Sequence, residues 1–151
     1  MKVEFSNNGV TDSLTGAPAP KNFFENLLRE IAKSARKYQP LAVMTFKYVP
    51  LSERTESEKE LTNLGQIIKK NMRQGDFYSR VAQDGYWLCL HGDGKESEFT
   101  RARFKEKLSN IYESKSTIEI AISLWDGEMN LRAWVEAIDS SYFNNNAKKI
   151  I

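Results

Sequence analysis

Hydrophobic positions along the chain follow two periods, and their order predicts a sheet with helices packed on it. Apolar residues spaced by three and four predict amphipathic helices, whereas short runs rich in branched and aromatic residues predict strands. The helical pattern recurs in four stripes: Phe23, Phe24, Leu27, Leu28, Ile31 and Ala35; Leu61, Leu64, Ile68 and Met72; Phe104, Leu108, Ile111 and Tyr112; Leu131, Trp134, Val135, Ile138 and Tyr142. Asn22 is the predicted N-cap of the first helix.

Strand-forming runs alternate with these helices at residues 41–49, 77–82, 86–90 and 117–124. The second and third runs are separated by a tight turn that contains Asp84-Gly85, a dipeptide suited to the positive φ angles of a two-residue hairpin. After the first helix the order is therefore β-α-β-β-α-β. This order predicts an α+β fold of the ferredoxin-like palm type, a mostly antiparallel sheet with helices packed on it.

The length and composition are those of one domain. A chain of 151 residues with 40% hydrophobic content can bury a single core. Turn-forming residues in 7–9 and 18–20 favour irregular structure before the first helix. We therefore predict an N-terminal arm or linker over residues 1–20 and a domain over residues 21–151.

The charge and cysteine content exclude some classes of function. With 22 basic and 20 acidic residues, the net charge of +2 argues against the broad basic face of a nucleic-acid-binding protein. Cys89 is the single cysteine, so an internal disulfide is impossible and a reducing, cytoplasmic location is expected. No apolar run is long enough to insert in a membrane. The lone His91 has no second histidine or cysteine to form a metal set, and neither a metal nor a cofactor is expected.

Three short motifs point to a known family. Residues 12–16 (Asp-Ser-Leu-Thr-Gly) are similar to the Asp-x-Leu-Thr-Gly that opens GGDEF domains, and residues 137–142 resemble a late helix of those domains. Arg73 and Asp76 have the spacing of the family's Arg-x-x-Asp inhibitory site, five residues before the GGDEF signature. The five signature positions are filled by residues 82–86, Ala-Gln-Asp-Gly-Tyr. Over residues 12 to 148 the chain resembles the GGDEF family of diguanylate cyclases, which implies the palm-like fold of that family.

The resemblance also implies that catalysis has been lost. These enzymes join two GTP molecules with the help of cations held by carboxylates, and Lys47 stands where the first strand of the family carries a metal-binding aspartate. A lysine ammonium repels a cation. Ala82 and Gln83 replace the two glycines that let the backbone approach the phosphates. The chain is therefore expected to be a pseudo-enzyme with no catalytic residue.

The remaining signature positions support the same interpretation. Asp84 alone keeps the family's residue type, and its pairing with Gly85 is also what a hairpin turn requires. Gly85 stands where the family has an acidic residue, and Tyr86 fills the last position. The loop between the first strand and the second helix is shorter than in the family and lacks its guanine-binding Asn and Asp.

The inhibitory-site motif is the part of the family's chemistry that this chain retains. In relatives this site binds cyclic di-GMP, and the residue types suit that ligand. The guanidinium of Arg73 can contact guanine O6 and N7 or a phosphate, while the carboxylate of Asp76 accepts from the guanine N1–H and amino edge. Gly75 permits close approach of the ligand, and Arg80 or Lys69 adds charge. The alternative is that Arg73 and Asp76 only tie the junction of helix and strand, with Arg80 structural.

Three functional hypotheses follow. The first is an inactive GGDEF-like signalling domain that binds cyclic di-GMP through Arg73 and Asp76, and acts on a protein partner or through a homodimer. The second is an interaction scaffold that binds no nucleotide. The third is residual GTP binding or diguanylate cyclase activity, which would depend on Asp84.

Overall fold

A computed structural model describes residues 3–50, 57–109, 116–143 and 148–149 of the chain. Four helices and five strands occur in these residues. They are α1 (Pro20–Lys37), β1 (Ala42–Pro50), α2 (Ser57–Asn71), β2 (Phe77–Ala82), β3 (Gly85–Leu90), α3 (Gly94–Ser109), β4 (Ser116–Leu124), α4 (Leu131–Phe143) and β5 (Lys148–Lys149). None of the described helices is long and apolar enough to cross a membrane.

The strands form one sheet in the order β2-β3-β1-β4-β5, and each neighbouring pair is antiparallel. The central strand β1 therefore lies between β3 and β4, as the β-α-β-β-α-β order requires. The predicted α+β palm with an antiparallel sheet is confirmed. The loop after β1 that the sequence analysis aligned with the family's guanine-binding loop falls at residues 51–56, outside the described residues.

Helices pack on both faces of the sheet because the residues of β1 alternate between them. Met44 and Phe46 join one apolar cluster, and Val43 joins the other. The first cluster is completed by residues of α2 and α3: Leu61, Leu64, Ile68, Phe104 and Leu108. The second is completed by residues of α1 and α4: Phe23, Leu27, Ile31, Trp134 and Ile138. The predicted stripes of α1 to α4 supply this core, except that Leu28 and Ala35 of α1 are exposed. Ile111, Tyr112 and the side chain of Tyr142, which also belong to the predicted stripes, lie outside the described residues.

Two helix starts differ from the sequence interpretation. The prediction of Asn22 as the N-cap is wrong, since α1 begins at Pro20, which tolerates the first helical turn because its missing N–H has no partner there. Helix α3 begins at Gly94, well before its apolar stripe. A reciprocal cap fixes this start: Glu96 N–H donates to Asp93 Oδ1 at 2.9 Å, and Asp93 N–H lies 3.5 Å from Glu96 Oε1.

The segment before α1 lies against the exposed edge of β2. Its carbonyl at Pro18 accepts a hydrogen bond from Ser79 Oγ at 2.7 Å and one from Arg80 N–H at 3.3 Å. Val3 and Ala17 are buried in the core cluster of α2 and α3. Residues 3–19 thus protect part of an unpaired strand edge, which would otherwise be open to pairing with another chain.

Candidate ligand site

The Arg-x-x-Asp motif forms a closed turn between α2 and β2. Asp76 Oδ2 accepts the Arg73 N–H at 3.0 Å, and Asp76 N–H donates to the Arg73 carbonyl at 3.1 Å. Gly75 makes the turn possible with a φ of 91°, a left-handed conformation that favours glycine. The Arg73 side chain is exposed, whereas only 8% of the Asp76 side chain is accessible. The turn therefore fixes the carboxylate and leaves the guanidinium open to solvent.

A cleft of about 270 Å³ opens beside the Asp76 carboxylate. Its walls are the start of α1, the end of α2 and the start of β2, and they include Asn22, Asn26, Lys69 and Tyr78. Pockets for whole drug-sized ligands are of about 300–1,000 Å³, so this cleft suits one base of a larger ligand. Burial raises the pKa of Tyr78, whose hydroxyl stays protonated at neutral pH.

The second carboxylate oxygen of Asp76 faces a histidine. Asp76 Oδ1 lies 3.8 Å from His91 Nδ1, and the other ring nitrogen, Nε2, lies 3.3 Å from Glu30 Oε2. His91 follows β3 directly. Glu30 and His91 are 61 positions apart in the sequence. The packing of α1 against the start of β2 and the end of β3 brings them together with Asp76.

Arg80 does not join this group. Its side chain is fully buried, and Nη1 donates to both Asp12 oxygens at 2.9 and 3.0 Å. Nη2 donates to the carbonyl of Gln83 at 2.7 Å, and the guanidinium lies over the Phe5 ring, 5.1 Å from its centroid. Arg80 therefore holds the N-terminal segment on the sheet and presents no donor at the turn of Arg73.

The hairpin at residues 82–86 is engaged with its own chain. Gln83 Nε2 donates to the carbonyl of Val3 at 2.9 Å, and the backbone N–H of Tyr48 donates to the carbonyl of Asp84 at 2.7 Å. Ala82 pairs with Gly85 across the turn, and the register shifts between Arg80 and Ala82. The Gln83 side chain thus binds the N-terminal segment.

Tyr86 and Lys47 complete the hairpin region. The buried Tyr86 hydroxyl donates to the Leu61 carbonyl at 2.6 Å, and burial raises the tyrosine pKa far above its usual range. Gly65 makes room for this ring, because a Cβ there would lie 2.6 Å from the Tyr86 hydroxyl oxygen. Lys47 stands opposite Gly85 on one side and Glu119 on the other. Within the described residues no group of three His, Cys, Asp or Glu side chains is arranged to hold a metal ion.

Comparison with known proteins identifies similar folds among solved structures. No protein-family model and no curated protein matches the sequence. Among solved structures, the GGDEF domain of DgcB from Caulobacter crescentus in complex with c-di-GMP matches with a TM-score of 0.80 and 11% identity, over 95% of this chain and 93% of that one. A DGC protein from Thermotoga maritima matches with a TM-score of 0.70 and 23% identity, over 84% and 96% of the two chains.

A third match concerns a protein solved with a partner. The diguanylate cyclase SiaD from Pseudomonas aeruginosa, in complex with its activator SiaC, gives a TM-score of 0.77 and 14% identity, over 89% of this chain and 56% of SiaD. The chain therefore has the fold of GGDEF domains. The family resemblance seen in the motifs is confirmed at the level of the fold.

Proposed function

We propose that this chain is a signalling domain that binds cyclic di-GMP at the Arg73–Asp76 turn and makes none of it. The observation that carries the proposal is the turn itself. On a GGDEF fold it presents an exposed guanidinium beside a carboxylate that is held in place by the Arg73 N–H, 3.0 Å away. This is the pair of groups that reads the two edges of a guanine.

The surroundings of the turn support the same ligand. The guanidinium of Arg73 can swing to a guanine or a phosphate, because it is exposed and its side chain is long. The cleft beside Asp76 has the size for a base, and the exposed Lys69 on its rim offers charge to a phosphate. Arg80, which was included in the predicted ligand set, has a structural role in this proposal because its charge is neutralised by Asp12.

Structural neighbours support a ligand or a protein partner without deciding between them. DgcB was solved with c-di-GMP and SiaD with an activator. We propose that nucleotide binding at the turn changes a contact of this domain with a protein partner or with a second copy, in the cytoplasm where GTP-derived nucleotides are made.

Replacing Arg73 by alanine is expected to weaken cyclic di-GMP binding by about 5- to 150-fold, because a bidentate contact to guanine contributes about 1–3 kcal/mol. Isothermal titration calorimetry of the wild type and the variant at one salt concentration measures this. Arg132→Ala is the matched control, since the Arg132 side chain is 90% exposed on α4 and pairs along its own helix with Glu136. Its affinity should equal that of the wild type.

The scaffold hypothesis predicts that the protein binds no cyclic di-GMP. If Arg73 and Asp76 serve only to close the junction of α2 and β2, the contacts seen within the turn are sufficient for that role. The wild type would then give no binding heat and no signal in a second assay such as fluorescence anisotropy. Equal affinities of the wild type and Arg73→Ala would also contradict the proposed site, because binding would then occur elsewhere.

A further inference from the structure

We infer that His91 is a proton-controlled latch on Asp76, and that its protonation weakens ligand binding at the Arg73–Asp76 turn. The inference rests on the proposed function, since it describes the regulation of the same site. It is carried by the position of one imidazole ring between two carboxylates that come from different elements, with Glu30 on α1 and Asp76 just before β2.

The geometry suits an imidazolium ion. Nδ1 of His91 lies 3.8 Å from Asp76 Oδ1, and Nε2 lies 3.3 Å from Glu30 Oε2. A neutral imidazole carries one N–H and one lone pair, so in either tautomer one ring nitrogen beside a carboxylate oxygen has no proton. The protonated ring carries an N–H at both nitrogens and a positive charge that attracts both carboxylates. Among the described residues Glu30 Oε2 is buried without a hydrogen bond, which is costly unless a donor is supplied.

The other groups near the ring do not change this arrangement. Cys89, two residues earlier on β3, stays a neutral thiol because burial raises its pKa, and the charges of Glu30 and Asp76 raise it further. Arg73 offers Asp76 its backbone N–H, while its side chain is exposed. Asp93, two residues later, caps α3 with Glu96. The carboxylates of Glu30 and Asp76 are thus the charges that the structure places on the ring.

Protonation and ligand binding compete for the same oxygen. Asp76 Oδ2 is held by the Arg73 N–H, so the acceptor left for a guanine edge is chiefly Oδ1, the atom that faces His91. A protonated His91 makes this 3.8 Å contact an ion pair, which must lengthen before the ligand binds. The ring is 33% exposed, so protons exchange freely with solvent and solvent also screens the pair. The effect is therefore modest.

The test is calorimetric titration with cyclic di-GMP at about pH 5.5 and about pH 8, which span the range in which histidines change charge. The wild type should bind about 2- to 5-fold more weakly at the lower pH, the size expected of a partly exposed ion pair. His91→Gln should bind equally at both values and as well as the wild type does at the higher pH. The chain has a single histidine, so no other imidazole contributes.

Several outcomes would overturn the latch. Equal wild-type affinity at the two pH values, tighter binding at the lower one, or a pH dependence retained by His91→Gln each contradicts it. Absence of binding at both pH values would instead overturn the proposed function. In that case the pairing of His91 with the carboxylates is tested on the protein without ligand, through melting temperatures. The difference between the melting temperatures of the wild type and His91→Gln should be larger at about pH 5.5 than at about pH 8. No change in that difference would refute the pairing.

Discussion

Asp12→Ala is expected to lower the free energy of unfolding by about 3–5 kcal/mol, the cost of leaving one charge of a buried ion pair without its partner. Arg80 has no accessible side-chain surface, and Asp12 supplies both oxygens to its Nη1. Asp12 Oδ2 also accepts hydrogen bonds from the N–H and hydroxyl of Thr15, each at 2.8 Å. The substitution therefore leaves the buried Arg80 guanidinium without its ion-pair partner, and it removes the acceptor that closes the turn at residues 12–15.

Chemical denaturation followed by tryptophan fluorescence measures this loss. The double variant Asp12→Leu with Arg80→Met removes both charges together, and should recover much of the stability because apolar residues can replace a buried pair. Arg132→Ala on α4 again serves as the exposed control and should change little. A loss below about 1 kcal/mol for Asp12→Ala, the typical effect of any substitution, would show that the pair is not needed.

No cyclic di-GMP is expected to form when the protein is incubated with GTP and Mg²⁺ or Mn²⁺. The chemistry requires cations held by carboxylates, and the sequence resemblance aligns Lys47, whose ammonium repels a cation, with the first of these positions. On the same alignment Gln83 takes the place of a signature glycine, and its side chain donates to the carbonyl of Val3. We propose that these two differences oppose metal binding and nucleotide entry.

The assay needs an active diguanylate cyclase in the same buffer, with the product separated by chromatography. Residual activity is the third hypothesis, and it makes a distinct prediction. Product formation, or metal-dependent GTP binding, that disappears in Asp84→Ala would establish it and would contradict the pseudo-enzyme proposal. Product that persists in Asp84→Ala would indicate a contaminating enzyme.

The sequence predicted the architecture well because its signals are local. The strand order follows from alternation, and the buried stripes of the helices follow from their spacing. The tight turn was predicted to use Asp84-Gly85 with positive φ angles. The structure instead places the turn at Gln83 and Asp84 with Gly85 as the first residue of β3, and the described residues with a positive φ include neither Asp84 nor Gly85. The predicted start of α1 was wrong because two residues near it favour a helix start in different ways. Proline favours the first helical position, where the structure has Pro20, whereas asparagine favours the N-cap, where the prediction put Asn22. The start of α3 was missed, although the spacing of Asp93 and Glu96 is a capping signal.

The residues of the candidate site were brought together only in part by the sequence patterns. The motif spacing identified Arg73 and Asp76, and the structure places both on one turn. Strand alternation puts Arg80 on the same face of β2 as the buried Tyr78. Its partner Asp12 lies 68 positions earlier in the sequence, and a periodic pattern along the chain cannot predict a contact over that separation. The Glu30–His91–Asp76 group was missed for the same reason, since it is made by tertiary packing of three elements. Non-local polar contacts were the part that local patterns could not supply.

The most direct test of the proposed site is a titration of ¹⁵N-labelled protein with cyclic di-GMP, followed through the amide signals of its glycines. Gly75 lies in the Arg73–Asp76 turn, and Gly85 lies in the β2–β3 hairpin. Binding at the turn predicts that the Gly75 and Asp76 signals shift and saturate while the Gly85 signal stays in place. Shifts confined to Gly85 and Asp84, or no shift at either place, would contradict it.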